Sequence, residues 1–295
     1  MGRQIPVSSS ARADEEVRDG LHEVTPDVAY QHEVVANVIF YGPRGAGDGQ
    51  WVLIDAGVTG TAGRIAGAAE ERFGKDARPA AILLTHGHFD HVGALEALAE
   101  RWEVPIFAHT LETPYLNGTA AYPPPDPSVG GGMLAALSPL FPSGPIDVSR
   151  WLQTLPSDGS VPGMPGWQWI HTPGHTPGHV SFWRAADRTL LVGDAFVTTR
   201  QESAYAAITQ QPEIHGPPMY FTQNWVQARA SVEKLATLEP ELVVAGHGPA
   251  MQGPEMRAGL QLLARDFDRI AVPEQSRSAK EPAWAEDGSA YREVS

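Results

Sequence analysis

The stretch Thr85-His86-Gly87-His88-Phe89-Asp90-His91 places three imidazoles and a carboxylate within six consecutive positions, directly after the apolar run Ala80-Ala81-Ile82-Leu83-Leu84. The chemistry such a stretch could do is metal ligation. Side chains two apart on an extended backbone project to the same side, so His86 and His88 can address one ion. Asp90 and His91 fall where the strand ends and a helix begins. Nitrogen and oxygen donors without thiolate suit zinc, and a chain with no Cys cannot build a Cys-rich structural zinc site.

Neighbours on one backbone do not readily converge on a single ion, so further donors are expected elsewhere. His175 lies in Thr172-Pro173-Gly174-His175-Thr176-Pro177-Gly178-His179. Asp194 follows Thr189-Leu190-Leu191-Val192-Gly193, and His247 follows Glu241-Leu242-Val243-Val244-Ala245-Gly246. His86, Asp194 and His247 each come after an apolar run, which places them at the carboxyl ends of strands, on loops held by a scaffold. A single His at a strand end is more often a structural hydrogen-bonding residue, and Asp after Gly is a common turn residue. It is the number of such residues and their order that favours ligation.

The elements that must position these side chains read as alternating strands and helices. Residues 21–41 read as two strands, 51–54 as a buried strand ending in Asp55, and 61–74 as a helix with Ile65, Ala69 and Phe73 on one face. Asp55 reads as a turn residue capping the strand end. The strand 80–85 delivers the His-rich loop; Val92, Leu95, Leu98, Ala99 and Trp102 predict an amphipathic helix, and 104–108 a short strand. This rhythm argues for an α/β layered architecture.

Regular patterning breaks over 110–165, where Pro123-Pro124-Pro125 and Gly130-Gly131-Gly132 flank a turn, a short helix fits 133–137, and prolines punctuate the rest. An irregular stretch this long, falling between two donor motifs, is read as an insertion covering a substrate rather than a dimer contact. Strands are predicted over 167–171, 179–183, 188–192 and 241–245, and helices over 224–238 and 254–270. Residues 1–20 read as a disordered arm, 21–270 as one domain carrying the insertion, and 271–295 as a loosely held tail.

A chain of 295 residues can bury a substantial core. Its polar opening lacks the apolar stretch of a signal peptide, and no run approaches the roughly 20 apolar residues of a membrane helix, which leads us to expect a cytoplasmic protein without a membrane partner. A formal net charge of −14 argues against nucleic acid, whose binding leans on Lys and Arg. A homodimer fits the composition as well as a monomer does.

His86-x-His88-x-Asp90-His91, a His within Thr-Pro-Gly-His-Thr-Pro-Gly-His, then Gly-Asp and Gly-His, in this order and at these gaps, resemble the metallo-β-lactamase-fold hydrolase superfamily, nearest in pattern to its glyoxalase II and lactonase branches. The resemblance spans about residues 34–248. It implies a four-layer αββα sandwich, with His86, His88 and His175 on one metal, Asp90, His91 and His247 on a second, and Asp194 bridging; it also implies a supporting carboxylate near the metal loop at Asp55, weighed equally with the turn reading. The implied cofactors are two Zn²⁺, with Fe or Mn as substitutes. Two such ions lie roughly 3.5–4 Å apart and activate a shared water. The implied activity is hydrolysis of a carboxylic ester, lactone or thioester of a small molecule by a metal-bridging hydroxide, with Asp90 also orienting the nucleophile or relaying its proton.

Departures from the family's patterns narrow this. The acid at Asp194 makes β-lactam hydrolysis the less favoured reading. Quorum-quenching lactonases often carry Tyr three residues after the bridging Asp, where this chain has Val197. A glutathione-binding set is not evident, although Arg200, Tyr205 and Tyr220 are available. A mononuclear iron enzyme similar to persulfide dioxygenases is the alternative from another class. Of the remaining histidines, His171 and His179 are read as supporting or core residues, and His109 fits no ligand slot. His215 and Tyr220 are pocket candidates.

Overall fold

Apolar side chains alternate along the strands, and the alternation sorts them onto two faces. Val52 and Ile54 face one way and Leu53 the other; Val28 and Tyr30 face one way and Ala29 the other. The computed structural model describes residues 5–129, 141–199 and 211–294. In it, eight strands form a sheet in the order Leu152–Thr154, Ile106–Ala108, Ala81–Leu83, Val52–Ile54, Ala36–Tyr41, Val28–Glu33, Leu21–Thr25 and Glu16–Arg18. A five-stranded sheet runs Trp167–His171, Val180–Arg184, Thr189–Gly193, Leu242–Ala245 and Met251–Gln252.

The inner faces of the two sheets share one cluster, in which Val28, Ile39, Ile54 and Leu83 meet Val180, Phe182, Leu191 and Val244. The outer face of the first sheet packs under helices Ala62–Phe73 and Leu95–Trp102, with Phe40, Leu53 and Ile82 against Ile65, Phe73 and Leu98. Helices Trp225–Ala236 and Gly253–Arg265 cover the second sheet, with Val192 and Val243 against Val232 and Leu260. The layers are therefore α, β, β, α, as the resemblance implies. No helix among the described residues is long and apolar enough to cross a membrane.

Several expectations need correction. Residues 21–41 form three strands: a turn at Pro26 and Asp27 separates 21–25 from 28–33, and Val34 adopts a left-handed conformation (φ 64°) that folds 28–33 back onto 36–41 as a hairpin. Residues 5–20 are no free arm: Ile5 and Pro6 pair with Ile214 and Glu213, Glu16–Arg18 forms the sheet edge, and Ser8 bonds Glu255. The C-terminal residues are tied down as well. Ser276 and Ser278 accept from the Trp225 indole, Arg292 and Glu293 pair with Ala121 and Ala120, and Ala290 is fully buried. Short polar and aromatic contacts hold both termini, which is why a lack of large apolar residues misreads them.

Where it is described, the 110–165 segment is largely architectural. Its Leu152–Thr154 extends the first sheet beside Ile106–Ala108. The expected helix at 133–137 lies outside the described residues.

Candidate metal centre

The parallel pairing of Ala81–Leu83 with Val52–Ile54 brings the loop after the first strand against the turn after the second. Asp55 occupies that turn with φ 60°, a conformation Asp tolerates better than most residues. One carboxylate oxygen accepts from the Thr85 backbone N–H at 2.8 Å; the other accepts from the Thr85 hydroxyl and from His91 Nδ1, each at 2.8 Å. The loops at the carboxyl ends of strands from the two sheets then meet. His86, His88 and His175 form one group of donors, His86, His91 and Asp194 a second, and Asp90, His91 and His247 a third, with ligand atoms in each group within 4.8 Å of one another. All seven are buried.

Hydrogen bonds on the far side of each ring decide which nitrogen carries the proton. The Thr85 hydroxyl is spent on Asp55, so His86 Nδ1–H donates to Thr85 Oγ1 at 3.0 Å and Nε2 keeps its lone pair. The Thr222 hydroxyl donates to Pro218 O, so His175 Nδ1–H donates to Thr222 Oγ1 at 3.2 Å. His247 Nδ1–H donates to Val35 O at 2.6 Å. In each of these, and in His91, the Nε2 lone pair faces inward. The Nε2 atoms of His86 and His91 and the Oδ1 of Asp194 are buried without a hydrogen-bond partner, a costly state that a cation would relieve. His88 Nδ1 faces His175 Nε2 at 2.9 Å, again two nitrogens converging on one point.

Asp194 stands between the groups, with Oδ2 3.0 Å from His247 Nε2 and 3.4 Å from His175 Nε2, and Oδ1 3.6 Å from His91 Nε2. Its backbone N–H donates to His179 Nε2 at 2.8 Å, which fixes that ring as a buried brace. Asp90 Oδ2 lies 3.5 Å from His247 Nε2. Burial drives His86 and His88 well below the usual imidazole range, and His175 to about 3, so these rings are neutral donors. Burial also opposes charge on His91 and His247, but Asp194 reverses this and raises both, with Asp55 adding to the effect at His91. Burial would raise Asp194, yet His247 and His91 hold it well below the usual carboxylate range. Burial raises Asp90. The centre thus favours positive charge around Asp194.

Of the pocket candidates, His215 does not join the donors. Its backbone pairs with Val197, and its Nδ1 meets Gly216 O at 2.9 Å. Tyr220 packs on Phe221, whose ring lies 4.7 Å from that of His88. Arg200 and Tyr205 lie outside the described residues. His171 stacks on His109 at 4.3 Å, away from the donors.

Sequence reasoning missed Phe221, Tyr122 and Glu112. Phe89, Phe141 and Phe221 form an aromatic wall beside His88, with Phe89 5.1 Å from Phe141 and 6.0 Å from Phe221. The Tyr122 ring lies 4.4 Å from His88. The Glu112 carboxylate is fully buried and accepts from Gly87 N, Thr176 Oγ1, Gly178 N and the Tyr122 hydroxyl.

An αββα sandwich carrying clustered His and Asp donors at the loop ends of two facing sheets defines a metallo-hydrolase. A family model of the metallo-beta-lactamase superfamily matches residues 33–247, and the chain belongs to that superfamily. It is 49% identical over 220 residues to the probable metallo-hydrolase YflN of Bacillus subtilis, covering 75% of this chain and 83% of that protein. It is 28% identical over 174 residues to the hydroxyacylglutathione hydrolase GloC of Haemophilus influenzae, covering 58% and 70%. Among solved structures, the Rm3 metallo-beta-lactamase superposes with a TM-score of 0.58 at 18% identity, covering 90% of this chain and 98% of that one, a likeness of fold.

Proposed function

We propose that the protein is a dinuclear zinc hydrolase acting on a carboxylic ester, lactone or thioester of a small molecule. The observation that carries this reading is the set of three interlocking donor groups, which share His86 and His91 and have Asp194 between them. His86, His88 and His175 would hold one ion, Asp90, His91 and His247 the other, and Asp194 both. When bound, the ions supply a Lewis acid for a carbonyl oxygen and acidify a shared water to near neutral pH.

The chain's own residues do the rest. The neutral rings of His86, His88 and His175 would leave the first ion electron-poor, offset by Asp194 alone, while the second would have Asp90 as well as Asp194 to offset its charge. Asp90, whose Oδ2 lies 3.5 Å from His247 Nε2, would also orient the nucleophile or relay its proton to the leaving group. Phe89, Phe141 and Phe221 exclude water from one side and offer an apolar contact to the substrate.

Val197 stands where a lactonase phenol would assist, and its backbone is engaged with His215, so this chain would work without that group. An acyl substrate also accords with the activity in the name of the Haemophilus influenzae relative. The test is a panel of aryl esters, lactones and acyl thioesters offered to zinc-loaded protein. We expect turnover of at least one class, lost with a chelator and restored by zinc. Zinc-loaded protein inert toward all three would overturn the reading.

A further inference from the structure

We propose that Glu112 is a positioning residue that clamps the two loops bearing His86, His88 and His175, and so sets the geometry of that donor group rather than of the Asp90, His91 and His247 group. The proposal rests on the dinuclear reading above and adds to it a residue from outside the ligand loops. Glu112 sits at the start of the irregular 110–165 segment, in the short turn Thr110–Glu112, and its carboxylate is completely buried. One oxygen accepts from the backbone N–H of Gly87, the residue between His86 and His88, at 3.0 Å, and from the Tyr122 hydroxyl. The other accepts from Thr176 Oγ1 at 2.8 Å and Gly178 N at 2.7 Å, the residues that follow His175. A single carboxylate therefore joins a loop of the eight-stranded sheet to a loop of the five-stranded one, directly behind the point where His88 Nδ1 meets His175 Nε2 at 2.9 Å.

Local packing supports the same role. A side chain at position 87 would lie 2.6 Å from the Tyr122 hydroxyl, so only glycine lets the loop rest against Glu112 and Tyr122. The Tyr122 ring in turn lies 4.4 Å from His88 and 3.6 Å from Tyr115. By contrast, among the described residues Glu112 makes no hydrogen bond to Asp90 or His91, farther along the loop that holds Gly87, or to the loops of Asp194 and His247. Those are braced by Asp55, His179 and Val35 instead.

Glu112→Gln is the discriminating variant. It keeps the volume, but in either orientation its NH₂ must face a backbone N–H, that of Gly87 or that of Gly178. Zinc is titrated into metal-free wild-type and variant protein against a chromophoric chelator, and the absorption spectrum of the cobalt-loaded forms is recorded. Wild-type protein should show two sites. In Glu112→Gln we expect one site weakened by roughly 10–100-fold, the range for loss of a supporting partner, with an altered cobalt spectrum, the other site unchanged, and kcat falling more than KM changes. Tyr122→Phe, which removes one of the four donors, should shift the same site in the same direction by less, and it carries the test should Glu112→Gln not fold. Two sites of wild-type affinity with an unchanged spectrum in whichever of these variants folds would overturn the proposal. Wild-type protein that takes up no zinc would instead overturn the reading on which it rests.

Discussion

The two sheets contribute to the metal centre in unlike ways. On the eight-stranded side, His86, His88, Asp90 and His91 leave a single loop after Ala81–Leu83, and Asp55 in the adjacent turn holds both Thr85 and His91. On the five-stranded side, His175, Asp194 and His247 come one each from three loops, and the parallel pairing that ends with Gly193 opposite Ala245 is what brings Asp194 beside His247. The first arrangement is local, and a supporting carboxylate stabilises it. The second depends on how closely separate backbones approach. The two halves should therefore fail differently, one by losing a brace and the other by losing space.

The sharpest way to break the comparison is at the residue common to both halves. Asp194→Ala should lower metal occupancy and cut turnover by at least about 100-fold, measured as metal content after dialysis alongside initial rates. A variant that keeps two metals and full turnover would contradict the bridging role. Next comes the crowded side. Gly246→Ala would drive a methyl into Asp194 Oδ1 and to 2.8 Å from His91 Cε1, so we expect a loss near that of removing a ligand although no ligand is replaced. Wild-type metal affinity in this variant would show that the five-stranded side is not limited by space.

On the braced side, Asp55→Asn keeps the shape and one good acceptor, and should weaken metal binding by roughly 10-fold, the lower end for a supporting partner. His215→Ala, at a residue that belongs to none of the three donor groups, should leave metal content unchanged, with its cost confined to stability. If it empties the centre, the partition between ligand and pocket residues is wrong.

A smaller effect separates the centre from the surrounding histidines. Burial lowers His109 to about 4, with its stacked neighbour His171 adding to this, and burial lowers His171 as well. The unfolded chain protonates these rings near the ordinary value of about 6.5. The folded protein binds fewer protons, so their contribution to stability is complete above about pH 6.5 and is lost as pH falls toward about 4. Thermal melts of wild type and His109→Gln across that window should converge as pH drops, the variant having less left to lose. Parallel curves would assign the acid sensitivity elsewhere.

The contrast between the halves also explains what was legible in the sequence. The His86 to His91 run is contiguous, so its composition alone marks it, and His175, Asp194 and His247 become visible because each follows a strand or a Gly-Pro turn in a recognisable order. The layered fold was readable from period-two and helical spacing, as in Val52 to Ile54 and Leu95 to Trp102. Glu112 was not readable, because nothing in Thr-Leu-Glu-Thr-Pro separates a buried clamp from a solvated turn, and its four donors are 10 to 66 residues away. The termini were misread for a related reason: Ala290 and Ser276 are held by individual hydrogen bonds and strand pairs, which leave no periodic pattern. The β-branched Val34 favours a strand, and the hairpin's need for a tight reversal overrides that propensity.

The most direct test of the whole account is the metal content of wild-type protein purified without added metal and then equilibrated with zinc, read by inductively coupled plasma analysis beside an ester and lactone assay. The account predicts two zinc ions per chain and turnover that rises with their occupancy. One iron per chain with oxygen consumption, or catalysis indifferent to metal content, would contradict it.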